Sequence, residues 1–197
     1  MASVPGERRL HILHTLAEML ENPKAEKITT ALLAARLKCS EAALYRHFAS
    51  KAQMFGGLID FIESSLLGLV NKITSDQLSG IKQVEMIIHV LLSFAQKNRG
   101  MTRVLTGDAL VNENVALQER ITSLLDKQEA ALKQALRVAA TQGTLDADTD
   151  FGALANLLSA YVLGRWQLYS KSGFKREPLA QWDAQWPMLQ HAITRRG

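Results

Sequence analysis

Along nearly the whole 197-residue chain, apolar residues recur at three- and four-residue spacing, and no stretch alternates apolar with polar as a half-buried strand must. This periodicity leaves an all-α fold of about nine helices, three short ones in front. The first is expected over residues 7–20, with Leu10, Leu13, Leu16, Ala17 and Leu20 on one stripe and Asn22-Pro23 as its stop. Thr29 and Thr30 suit the start of a second, through Leu37. Lys38-Cys39-Ser40 makes a three-residue turn, and Ser40 can cap a third helix over residues 41–48. Long helices are expected over residues 51–74, 80–98 and 113–141, with a short one over 101–105. Asp146, Asp148 and Asp150 place negative charge where the eighth should begin, and Ser172-Gly173 ends it. The last, residues 179–192, must accommodate Pro187, which should kink it.

With 47% hydrophobic and 21% charged residues, the composition is that of a globular chain. Cys39 is the single cysteine, so a disulfide framework is excluded and a reducing cytoplasm is expected. The first residues hold no apolar leader, and runs such as Met86-Ile87-Ile88 fall well short of a membrane span. Residues 1–55 carry a net charge of +3 and residues 56–197 only +1, so a basic front precedes a nearly neutral body. The expected division is residues 1–50 and residues 51–197.

Two short helices across a three-residue turn have the dimensions of a helix-turn-helix. Ala34 and Ala35 are small where the two must cross, and Leu44 and Phe48 share the face that packs inward. The outward face offers Glu41, Ala42, Tyr45 and Arg46, with Ala43 and His47 beside them. Alanines keep the first turn slim enough to enter a major groove about 12 Å wide. Tyr45 and Lys51 can reach phosphates, and Arg8 and Arg9 suit phosphates or a neighbouring minor groove. The same residues would also suit a three-helix cap with an exposed tyrosine and arginine. Alanines read only thymine methyls, so specificity would lean on phosphate register and on the spacing between two copies.

The string Leu44-Tyr45-Arg46-His47-Phe48, then Ser50-Lys51 and Phe55, resembles the signature of the TetR family of DNA-binding regulators. Ile28-Thr29-Thr30-Ala31 with Ser40-Glu41-Ala42-Ala43 is similar, more narrowly, to the nucleoid occlusion branch of that family. Asp60-Phe61-Ile62-Glu63, residues 97–98, residues 100–107, Ala109-Leu110, Phe174-Lys175 and Trp186-Pro187 carry the likeness into the body. Lys38 stands where a glycine is usual, and Ala49 and Arg99 where prolines are usual.

The resemblance implies a homodimer on palindromic double-stranded DNA, with higher-order assembly along it, associated with the nucleoid in the cytoplasm. It places DNA contacts at Arg8, Arg9, Thr29, Thr30, Ser40, Glu41, Ala42, Ala43, Tyr45, Arg46, His47 and Lys51. It places the dimer interface on the last two long helices, through Leu154, Leu158, Tyr161, Trp166 and Trp186, aromatic anchors included. It also implies a groove for the C-terminal tail of the division GTPase FtsZ, walled by Phe61, Leu69, Val90, Ser93, Lys97, Asn98 and Met101. Leu69 and Ser93 depart from the arginine and glycine usual there. The alternative is a ligand-responsive transcriptional repressor with the same front.

No cofactor is expected. His11 and His14 lack a third metal ligand nearby, and the aspartates at 146, 148 and 150 lack the glycine and distal glutamate of a calcium loop. No catalytic or phosphate-loop motif occurs, so an enzyme is not expected.

Overall fold

The computed structural model describes residues 5–22, 28–111 and 113–194. Among them lie nine α-helices, one 3-10 turn and no strand. The helices are α1 (Pro5–Leu20), α2 (Thr30–Arg36), α3 (Glu41–Tyr45), α4 (Lys51–Asp76), α5 (Gly80–Lys97), α6 (Arg99–Leu105), α7 (Val115–Thr141), α8 (Phe151–Lys171) and α9 (Trp182–Thr194). The 3-10 turn covers Asp108–Leu110.

Local chemistry sets most of these boundaries. The Thr29 hydroxyl accepts from the Leu32 N–H, and Ser40 Oγ accepts from the Ala43 N–H. Ser50 Oγ accepts from the Gln53 N–H while Gln53 Oε1 accepts from the Ala49 N–H, a reciprocal cap at the start of α4. Asp150 caps α8 by accepting from the Gly152 and Ala153 N–H groups. The Ala153 bond and then the Gly152 bond outweigh desolvation and, with Lys133 nearby, hold its carboxyl below the usual aspartate value.

Helices α2, α7 and α8 end in one motif. Cys39, Thr144 and Phe174 donate back to Ala34, Ala139 and Tyr169, across left-handed residues Lys38 (φ 53°), Gly143 and Gly173. Glycine enters that conformation freely, whereas lysine at 38 costs on the order of 1 kcal/mol.

Two ends differ from the periodicity by three residues. Helix α3 stops at Tyr45, not 48, where the His47 N–H bonds the Leu44 carbonyl three residues back instead of four and the Phe48 N–H shares that acceptor. Helix α9 starts at Trp182, not 179, because the Leu179 N–H is taken by Gln96 Oε1 and the Trp182 N–H closes a turn onto Leu179. Pro187 stays inside α9, and Pro23, expected to stop α1, lies outside the described residues.

The chain divides into two compact units. One takes the residues through Glu63 together with Asn98–Ile121; the other takes Ser64–Lys97 and the residues from Thr122 onward. In the first, α1 packs on α2 and α6, and α2 packs on α3. Ile12, Leu16, Leu33, Leu44, Phe48, Leu58 and Val104 are its buried residues. A Cβ built on Gly100 would lie 1.9 Å from the Ala17 carbonyl oxygen, so α6 can meet α1 only through glycine. Arg103 donates to the Leu20 and Asn22 carbonyls, covering acceptors at the end of α1.

In the second unit, α5 packs on α8 and α9. The buried Trp166 indole donates to the Leu91 carbonyl at 3.1 Å, and the Tyr169 hydroxyl donates to the Gln96 carbonyl at 3.0 Å. A Cβ on Gly80 would lie 2.1 Å from the Ala139 backbone nitrogen, fixing α5 close against α7. By length and composition α4 could cross a membrane, but Met54, Phe55, Leu58, Ile59, Ile62 and Leu66 are buried inside the protein.

Gly100→Ala should lower stability by about 2–3 kcal/mol through the backbone clash. Gly68→Ala, where a Cβ meets nothing, should raise it by about 0.5–1 kcal/mol. Urea unfolding of both variants checks the contrast.

Candidate nucleic-acid interface and partner surfaces

Helix α3 presents Glu41, Ala42, Tyr45 and Arg46 to solvent, while Leu44 is fully buried behind them. The Thr30 hydroxyl donates to Glu41 Oε2 at 2.5 Å, and the Tyr45 hydroxyl lies 3.5 Å from Thr30 Oγ1. These contacts pin α3 to the start of α2. Two expected DNA-contact residues, Thr29 and Ser40, use their hydroxyls as helix caps. Ala43 and His47 are half-buried.

Arg8 is half-buried and Arg9 exposed, and both make contacts within the chain. Arg9 lies 4.1 Å from the centre of the Phe48 ring and donates to the His47 carbonyl at 2.5 Å. Arg8 lies 3.4 Å from His11 Nδ1. Lys51 forms a 2.5 Å ion pair with Glu113, 62 residues away. Nothing in local spacing points to that partner, so the sequence reading missed it.

Within the second unit, α8 carries apolar residues on both its inward and its outward side. Ala155, Leu158, Val162, Trp166 and Tyr169 face the chain's own core. Ala153, Leu157, Ala160, Gly164 and Leu168 face outward, Leu157 at 60% exposure, and α9 adds Met188 at 69%. The expected interface residues Leu158, Trp166 and Trp186 are therefore inside the single chain: Leu158 and Trp166 have no exposed surface to give a partner, and Trp186 stacks on Trp182 at 5.5 Å. Leu154 and Tyr161 are half-buried. The Tyr161 hydroxyl donates to Gln185 Oε1 at 2.7 Å; burial raises its pKa, partly offset by Arg165.

The expected groove residues fall in both units. In the first, Phe61 packs edge-on against His14 at 5.7 Å, Met101 is buried, and Asn98 precedes α6 as its cap residue. In the second, Leu69 is exposed, Val90 and Ser93 are half-buried, and Lys97 is exposed in the last turn of α5. Leu69 and Val90 line a surface cavity of about 480 Å3 with Ile73, Met86 and Trp182, rimmed by Lys72 and the Lys82–Glu85 pair. No group of three or more His, Cys, Asp or Glu among the described residues could hold a metal.

Residues 12–58 match the family of bacterial regulatory proteins, tetR family, and residues 79–194 match the SlmA-like family, a Tetracyclin repressor-like C-terminal domain. The nucleoid occlusion factor SlmA of Shewanella sp. strain W3-18-1 is 47% identical over 186 residues, 94% of each chain. The SlmA of Shewanella oneidensis matches equally well. The chain belongs to the SlmA family of nucleoid occlusion factors. Solved structures share its fold at much lower identity. The fatty acid degradation regulator FadR of Bacillus halodurans has a TM-score of 0.79 at 14% identity and full coverage of both chains. FadR of Bacillus subtilis, in complex with stearoyl-CoA, has 0.75 at 13%, covering 93% of this chain and 98% of that one.

As an SlmA-family member the chain is a DNA-binding protein, and its helix-turn-helix is α2 and α3. On this geometry Arg46, the residue capping the end of α3, is an exposed cation, whereas Lys51 is already paired with Glu113. Glu113→Gln should therefore tighten DNA binding and steepen its salt dependence by about one phosphate contact. Arg46→Ala should weaken binding and make the dependence shallower by a similar step. Fluorescence anisotropy across a salt series measures both.

Proposed function

We propose that the chain acts as a homodimer bound to palindromic DNA of the nucleoid in the cytoplasm, and that in this state it antagonises FtsZ assembly. The observation that carries the reading is 47% identity, across 94% of the chain, to proteins named as nucleoid occlusion factors. A ligand-responsive repressor has only the shared fold behind it, at 13–14% identity to the fatty-acid regulators. The protein works by binding, with DNA collecting several dimers and raising the local concentration of their FtsZ-binding faces.

Two copies pair through the outward face of α8 and the exposed part of α9. Ala160 and Gly164 permit close approach of facing helices, and Leu157, Leu168 and Met188 supply the apolar area. Pairing sets two slim recognition helices on one two-fold axis, which a palindrome with half-sites about one turn apart can match. Gly164 has open space around a built Cβ, so Gly164→Leu leaves the folded chain intact and obstructs only the pair. It should convert the dimer to monomer in sedimentation and lower DNA affinity, while thermal unfolding shows an intact fold.

The FtsZ tail docks on the α4–α5 face of the second unit. Leu69 and Val90 take an apolar tail residue over the 480 Å3 hollow, and exposed Lys97 pairs with an acidic one. Leu69 gives this face one cation fewer than an arginine there would provide. Lys97→Asp should weaken binding of a labelled FtsZ C-terminal peptide about tenfold or more while leaving DNA binding unchanged. Leu69→Arg should tighten it. Absence of saturable peptide binding by a protein that binds DNA normally would overturn the reading.

A further inference from the structure

Met86, His89, Ser93 and Lys97 recur at three- and four-residue spacing and so share one side of α5. Met86 and His89 line the hollow beside Leu69, and His89 meets the Trp182 ring edge-on at 5.6 Å. Lys97 closes the stripe at its other end, exposed in the last turn of the helix. There the segment between α8 and α9 comes alongside α5. Gln96 Oε1 accepts from the Leu179 N–H, and Gln96 Nε2 donates to the Glu177 carboxylate at 3.2 Å. Two more cations, Lys175 and Arg176, are exposed in that segment, directly before Glu177.

The backbone of this segment is set by its own chemistry. Ser172 Oγ accepts from the Lys175 and Arg176 N–H groups, and Arg165 donates to the Glu177 and Pro178 carbonyls. Buried Phe174, at a left-handed φ of 65°, packs edge-on against Tyr169. Among the described residues, none of Lys97, Lys175 and Arg176 takes part in an ion pair, and the Glu177 carboxylate already accepts from Gln96. Three cations are thus presented on a fixed backbone, so little ordering cost falls on a partner that pairs with them.

We propose that the α8–α9 segment is a second contact for the peptide that docks on the α4–α5 face, taking acidic residues beyond the one that meets Lys97. The inference rests on the docking of an FtsZ tail there. From Val90 to Lys97 the helix rises about 10 Å, which about three extended residues span. A peptide with its apolar residue over the hollow therefore brings an acidic residue to Lys97 about three positions away. Acidic residues further along in the same direction meet Lys175 and Arg176, whose guanidinium can hold a carboxylate by two bonds. Length and charge spacing, in addition to the apolar anchor, then select the partner.

Fluorescence anisotropy with a labelled FtsZ C-terminal peptide, and with the same peptide carrying Asn and Gln in place of its Asp and Glu, tests it. The double variant Lys175→Glu, Arg176→Glu should bind the native peptide about fivefold or more weakly, with a shallower salt dependence, at an unchanged thermal midpoint. The neutral pair Lys175→Gln, Arg176→Gln should fall between it and the wild type. The amide peptide should bind the wild type more weakly and no longer distinguish it from the charge-reversed variant. Wild-type affinity in the reversed variant, where Lys97→Asp still weakens binding, overturns the second contact and leaves the docking face standing. An equal loss with both peptides overturns it too, since the effect is then not charge pairing. Unchanged peptide binding with weakened DNA binding in the reversed variant would give these cations to nucleic acid instead. No saturable peptide binding by a wild-type protein that binds DNA overturns the docking reading and this inference together.

Discussion

Helix α8 has too much apolar surface for one chain to hide. Its inward residues, Leu158, Val162, Trp166 and Tyr169, make the core of the second unit, and the Trp166 and Tyr169 polar tips are satisfied by carbonyls of α5. Its outward residues, Leu157 and Leu168 with the small side chains between them, have no cover within the chain. Large exposed apolar patches are uncommon on soluble monomers and mark interaction surfaces. A DNA reader with a slim recognition helix needs a second copy for specificity, and this helix supplies the reason for one. On the proposed pairing, fold stability and DNA recognition draw on opposite sides of the same twenty-one residues.

The first unit is built for close approach. Gly100 lets α6 sit on the α1 backbone, Arg103 covers the carbonyls at the end of α1, and Arg9 lies over Phe48 to tie α1 to the end of α3. The outward face of α3 therefore rests on a backbone crossing, a cation over a ring and two caps, with small side chains where bulk would intrude. This suits an interface that owes more to position and phosphate geometry than to direct base reading.

Much of this was legible in the sequence because it rests on local chemistry. Ser40, Ser50, Thr29 and Asp150 cap the helices that follow them for reasons visible within four residues. Lys38, which stands where the resembled family usually has glycine, does take the left-handed conformation. What could not be read was non-local or directional. Glu113 meets Lys51 from a distant segment, and Gln96 takes the Leu179 amide and so delays α9. The resemblance put the pairing surface on α8 and α9, but spacing could not say which side of α8 the chain itself would use. The tryptophans, the most conspicuous residues there, turned inward, leaving leucines, alanines and a glycine outside.

The Lys51–Glu113 pair has a kinetic side. A lysine already held at 2.5 Å by a carboxylate of its own chain behaves like a site with a permanently tethered counterion. A phosphate arriving at Lys51 would have to exchange with that carboxylate, and on leaving it would be replaced at once by a competitor that never diffuses away. Were Lys51 to meet DNA, such an arrangement would shorten each visit to arbitrary DNA more than visits held by other contacts, favouring rapid scanning over lingering between sites.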